Sequence, residues 1–304
     1  MFIWRLPKMC ADRLSLASGT LIAAAILLGS GCQDMREDTE RDVSPGVSSP
    51  EPATESAPAQ RTASADPADK PSHLAAANQR LAEILAEESP EFTRQRAVMV
   101  SSQLRARGIS DERVLQAMSR VPRHLFVSQS LAEVAYEDCP QRIGHGQTIS
   151  QPYIVALMTE LAHVNPDSRV LDVGTGSGYQ AAVLAEICRE VYSIEIVPAL
   201  ATEAREHLAK LGYDHIVTRT GDGYRGWSEN APFDAIIVAA APNHVPPSLV
   251  EQLATGGRLV IPIGEYAQEL LVVEKGPAGA TRTWTVAPVA FVPMTGEAQR
   301  PTRP

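Results

Sequence analysis

From Asp167 onward the chain alternates short apolar runs with longer amphipathic ones. "SRVLDVG" and "EVYSIEIV" are near-continuous, β-branched stretches, as expected of strands buried on both faces. Between them "YQAAVLAEIC" has apolar residues at helical spacing, and "PALATEAREHLAKLG" opens with Pro198 in its first turn and stops at Gly212. "HIVTRTGDG", "FDAIIVAAA" and "GGRLVIPIG" are three further strands. "QELLVVEKG" and "RTWTVAPVAFVPM" lie close enough in sequence to pair antiparallel. Repeated strand–helix–strand units predict an α/β fold: a doubly wound, mostly parallel sheet with helices on both faces and an antiparallel C-terminal edge. Ligands of such sheets bind outside the carboxyl ends of the strands, where strand order reverses.

Upstream the pattern is helical. "SQPYIVALMTELA" predicts a helix with Ser150 at the N-cap and Pro152 in the first turn, and residues 74–90 predict one amphipathic helix. The core begins about there, because thirteen of the fifteen aromatic residues fall from Phe92 onward. Residues 33–73 hold six prolines and nine acidic against four basic side chains, too little apolar surface to offset chain entropy, and predict a disordered tether. Residues 1–32 have the pattern of an export leader: Arg5, Lys8 and Arg13, then an apolar run, then Gly29-Ser30-Gly31-Cys32. Cys32 is similar to a lipoprotein attachment site and would anchor the chain to a membrane, although Gly29 stands where such sites usually carry Leu. The expected organisation is leader, tether and a single domain over 74–304, with 74–165 the helical, substrate-side part and 166–304 the cofactor-binding sheet.

A net charge of −9 and a pI near 5.3 argue against a nucleic-acid partner. Outside the leader only Cys139 and Cys188 remain, read as ordinary thiols; there is no CxxC and no metal-ligand spacing.

The polar residues gather at the predicted strand ends. "VLDVGTGSGYQ" places Gly174, Gly176 and Gly178 where backbone can approach a ligand without a Cβ in the way, beside Asp172, Thr175 and Ser177. The spacing is G-x-G-x-G rather than the G-x-G-x-x-G that wraps a pyrophosphate. Twenty-one residues beyond Gly174, Glu195 ends the second strand, placed to accept from ribose hydroxyls. Asp222 and Gly223 of "GDG" follow the third strand, with Asp222 placed to accept from an adenine amine. A glycine loop, a ribose acid and a base acid describe an adenosyl pocket without a pyrophosphate, and S-adenosylmethionine fits that description.

With "GTGSGYQAAVLA", "VYSIEI", "GDGYRGW", "APFDAIIVAAAP" and "GGRLVIPIG" in this order, the chain resembles the protein-L-isoaspartate O-methyltransferases. "MVSSQL", "RGISDERVLQAMSRVPRHLFV", "AYED" and "IGHGQTISQPYIVALMTE" extend the resemblance from about Arg94 to about Thr295. It implies a Rossmann-like methyltransferase fold with a helical N-terminal extension. It also implies methylation of the free α-carboxyl of L-isoaspartyl residues in damaged proteins and peptides, an ester that collapses to a succinimide and returns some normal aspartate. Ser150 is the residue the resemblance assigns to the active site, with Thr148 and Ile149 against the cofactor. Asp172 stands where many members carry Glu, and Thr295 offers a polar group near the cofactor.

Rival chemistries fit less well. Neither Ser150 nor Ser177 has the G-x-S-x-G flanks of a hydrolase elbow, and "AAAPNHVPP" lacks the Asn/Asp-Pro-Pro-aromatic block of a nucleic-acid amino-methylase. Two alternatives stay open: methylation of another carboxylate or small acceptor, and an exported lipoprotein that keeps the fold as a binding module. Cofactor supply and the resemblance favour the cytoplasm; the leader favours export.

Overall fold

The structure, a computed structural model, describes residues 79–299; the leader, the tether, Cys32 and the start of the predicted 74–90 helix lie outside them. Helix α1 covers residues 79–86 and stops there. A second helix, α2 (Pro90–Val98), starts at once, with Pro90 in its first turn and the Ser89 hydroxyl accepting from the Glu91 N–H. The described part of the helix expected over 74–90 is thus one helix, which ends four residues early, and a Ser-Pro capping signal starts the next. α2 runs on through a wider π turn (Met99–Leu104) and a 3-10 turn (Arg105–Arg107) that ends on left-handed Gly108. Helix α3 (Glu112–Arg120) follows.

A hairpin, β1 (Gln141–Gly144) with β2 (Gln147–Ile149), precedes helix α4 (Pro152–Leu161). The main sheet then alternates with helices: β3 (Arg169–Val173), α5 (Tyr179–Ala185), β4 (Glu190–Glu195), α6 (Pro198–Lys210), β5 (Val217–Thr220) and β6 (Phe233–Val238). After α7 (Pro247–Glu251) come β7 (Leu253–Ile263), β8 (Gln268–Lys275) and β9 (Thr281–Val289). Strand order is β5-β4-β3-β6-β7-β8-β9; the first five are parallel, and β8 and β9 form the expected antiparallel edge.

Successive strand residues point to opposite faces, and two apolar cores result. Val170, Ala235, Ile237 and Val260 pack beneath α3, α4 and α5, while Leu171, Val173, Ile236 and Val238 pack with Leu249 of α7 and with Trp227 and Met294. The order reverses at β3, flanked by β4 and β6, so a crevice opens at the carboxyl ends of these strands.

Candidate active site

The floor of that crevice is the glycine loop. Beyond Val173 the N–H groups of Gly174 and Thr175 both donate to the Ile194 carbonyl, at 2.8 and 3.1 Å, which turns the chain back over β4. Gly174 and Gly178 hold φ of +95° and +90°, left-handed angles that side-chained residues avoid. At the end of β4 the buried Glu195 carboxylate accepts from two backbone N–H groups, Gly176 to Oε2 (2.9 Å) and Val197 to Oε1 (3.0 Å). Asp222 is pinned in the same way, Oδ1 by the Tyr224 N–H (3.0 Å) and Oδ2 by the Glu297 N–H (2.8 Å). Gly223 follows it, where an added Cβ would come within 2.3 Å of Val173 Cγ1. The cleft between these groups is lined by Thr148, Gly174, Gly176, Glu195, Asp222 and Gly223, and about 70 Å³ of it is open.

Asp172 sits beneath the loop and does not line the cleft. Its Oδ2 accepts from the Ser193 hydroxyl (2.7 Å), which itself meets the Thr175 hydroxyl at 2.6 Å, while Oδ1 is buried with no partner. Complete burial pushes the Asp172 carboxyl up to about 7; the Ser193 hydrogen bond works against this and the neighbouring Glu195 charge adds to it. Between the ordinary carboxylate value of about 4 and about 7, the folded chain therefore holds a proton that the unfolded chain has released. Stability falls as pH rises through that window. Denaturant unfolding at several pH values should show the protein losing stability relative to Asp172→Asn across it; a constant difference would contradict the assignment.

The roof is the β1–β2 hairpin. Gly144, His145 and Gly146, all at positive φ, make its turn, and His145 Nε2 lies 3.2 Å from Glu203 on α6. Strand β2 brings Gln147 and Thr148 to the cleft, and Ile149 turns its side chain into the core. Directly after it, Ser150 opens into a second cavity of about 300 Å³, lined mostly by apolar groups that include Ile154, Val289 and Phe291. Thr148, Ala239 and Val292 line both spaces, so the cleft and the cavity share a wall.

Ser150 is not the N-cap of α4, as its sequence position suggested. Gln151 is, and its side chain caps nothing. The capping acceptor is Asp138, from the loop before the hairpin: its Oδ1 accepts from the Tyr153 N–H (3.2 Å) and its Oδ2 from Gln151 Nε2 (2.6 Å). A carboxylate at a helix N-terminus is favoured by the helix dipole as well as by the hydrogen bond, and this one leaves Ser150 to the cavity.

Six of the eleven cofactor-contact candidates thus line one cleft. Ile149, Asp172, Thr175 and Gly178 support it from the core, and Ser177 faces a separate recess with Phe126, Ile143 and His207. Gly178 packs its bare Cα against Leu208, 3.0 Å from where a Cβ would stand. Thr295 does reach the cleft, beside Met294. Ala239 belongs to a small apolar run in the sequence, and nothing local marks it as a wall between two cavities. Cys139 and Cys188 are free and buried, as expected of ordinary thiols.

Known proteins resemble the chain in sequence and fold. Relatives from Syntrophobacter fumaroxidans (59% identical over 188 residues, covering 61% of this chain and 76% of the relative) and Polaromonas sp. (57% over 189 residues, 62% and 90%) are both named protein-L-isoaspartate O-methyltransferase 2. One solved protein-L-isoaspartate O-methyltransferase superposes with a TM-score of 0.60 at 27% identity, covering 67% of each chain. A Plasmodium falciparum β-aspartate methyltransferase in complex with S-adenosyl-L-homocysteine superposes at 0.57 with 30% identity, covering 66% of this chain and 98% of its own. The family described as protein-L-isoaspartate(D-aspartate) O-methyltransferase matches residues 94–299, the whole of the sheet, the hairpin and both cavities, and the chain belongs to that family.

Proposed function

We propose that the cleft at the ends of β3, β4 and β5 holds S-adenosylmethionine, and that the Ser150 cavity holds the free α-carboxyl of an L-isoaspartyl residue. The enzyme is a methyltransferase of the isoaspartate-repair family, and the reading concerns which residues do the work. The observation that carries it is the wall of Thr148, Ala239 and Val292 shared by the two spaces, which puts a donor in one within reach of an acceptor in the other.

The residues present fit the cofactor. Glu195 and Asp222 face the cleft with lone pairs left over for ribose hydroxyls and an adenine amine, and Gly174 and Gly176 bring bare backbone to its floor. Bound there, S-adenosylmethionine supplies a methyl group on a sulfonium, the leaving group. An ionised carboxylate is already a nucleophile at neutral pH, so no general base is required. The protein's contribution is positioning and the exclusion of water. The Ser150 hydroxyl would donate a hydrogen bond to one oxygen of the acceptor carboxylate and leave the other free to react, while Ile154, Val289 and Phe291 would limit water in the cavity. Methyl transfer from labelled cofactor to an isoaspartyl peptide should give a product that loses its label in mild alkali, as an ester does; alkali-stable label would place the methyl on another atom.

The site calls for a compartment that supplies S-adenosylmethionine, and the cytoplasm is the proposed location. Among the described residues no helix is long and apolar enough to cross a membrane. The leader ending at Cys32 favours the other reading, an exported and anchored protein. Fractionation of cells carrying the natural chain and Cys32→Ala decides it: membrane-bound protein released by the substitution would overturn the cytoplasmic reading.

A further inference from the structure

An anionic acceptor raises a charge problem in the Ser150 cavity. Among the residues that line it, Asp138 is the one charged side chain, and it is a carboxylate. A second carboxylate entering a largely apolar space would be repelled by it. The structure supplies a counter-charge. The 3-10 turn that ends at Gly108 delivers Arg107, whose Nη1 donates to Asp138 Oδ2 and whose guanidinium carbon lies over the Tyr153 ring, 3.6 Å from its centroid. Asp138 Oδ2 also takes Gln151 Nε2 and its Oδ1 the Tyr153 N–H. One carboxylate thus joins Arg107 to the residues on either side of Pro152, immediately after Ser150.

We propose that Arg107 and Asp138 form a neutral clasp beside Ser150, in which Arg107 is a positioning residue that lets this cavity admit the acceptor carboxylate. Asp138 holds the backbone after Ser150 in place, and Arg107 cancels the charge that this anchoring brings to the cavity. The inference rests on the reading that the Ser150 cavity takes the acceptor.

The test uses the full chain, an isoaspartyl peptide and S-adenosylmethionine. Arg107→Met should raise KM for the peptide about tenfold with kcat changed less than about threefold, because an uncompensated like charge opposes entry of the acceptor. Adding Asp138→Asn to Arg107→Met should bring KM back to within about threefold of the natural protein, and high salt should narrow the defect of the single variant. Arg107→Lys, which keeps the charge and loses the guanidinium over Tyr153, should stay near the natural KM. S-adenosylhomocysteine affinity, measured alongside, should not change, since neither residue lines the cofactor cleft. A defect in Arg107→Met that neither Asp138→Asn nor salt relieves would make Arg107 only a packing partner of Tyr153 and overturn the clasp. So would an unchanged KM in Arg107→Met when Ser150→Ala is impaired. If Ser150→Ala itself turns over normally, the cavity is not the acceptor site, and the clasp falls with the reading beneath it.

Discussion

Ser150→Ala should lower kcat/KM for an isoaspartyl peptide by about a hundredfold while S-adenosylhomocysteine binds as before. A hydrogen bond to a charged group contributes about 1.5–3 kcal/mol, more than a neutral pair, and its loss in a water-poor cavity spans roughly ten- to a hundredfold. The upper end is expected because the hydroxyl does more than bind: with one carboxylate oxygen held, the other is aimed. Ser150 lines the acceptor cavity and not the cleft, so cofactor affinity is spared. The α4 N-terminus should also survive, because Asp138 caps it and Ser150 does not. Stability and cofactor affinity measured beside the kinetics separate the roles. A marked drop in stability would return Ser150 to a structural part, and unchanged turnover would remove it from the site.

The second large effect is expected at Glu195. Glu195→Gln should weaken S-adenosylhomocysteine binding by about a hundredfold despite the near-identical shape of the side chain. Each carboxylate oxygen accepts from a backbone N–H, Gly176 on one side and Val197 on the other. A glutamine has one acceptor oxygen and one NH2 group, so one of these N–H groups must face a donor. A buried donor left without an acceptor costs about 1–3 kcal/mol. The Gly176 contact ties the glycine loop to β4, so its loss loosens the cleft floor as well as removing acceptors for the ribose. Calorimetric titration with S-adenosylhomocysteine measures this directly. Affinity within about threefold of the natural protein would mean that Glu195 serves the loop alone.

The centre of the sheet was legible in the sequence because its strands are buried on both faces. "SRVLDVG" and "FDAIIVAAA" are nearly unbroken apolar runs, and these became β3 and β6 at the point where strand order reverses. Glu195 was legible for a related reason, since an acid directly after an apolar run at the carboxyl end of a strand has few places to be other than the crevice, and Asp222 was legible from the glycines that flank it after the next strand. The start of α2 is written in Ser89-Pro90, a local capping signal that falls where the amphipathic pattern before it runs out. What pattern could not show was long-range. Ser150 looked like a cap because it precedes a proline-initiated helix, and the true capping acceptor, Asp138, reaches α4 from another loop. Thr148, Ala239 and Val292 come from the hairpin, the end of β6 and the segment after β9, and only the fold reveals that they form one wall.

The most direct measurement compares two peptides that differ only in an aspartyl or an isoaspartyl linkage, each incubated with the full chain and methyl-labelled S-adenosylmethionine. The two adjoining cavities and family membership predict alkali-labile label on the isoaspartyl peptide and none on its twin. Equal labelling of both, or label on neither while the cofactor binds, would contradict the repair assignment and point to a different acceptor for the Ser150 cavity.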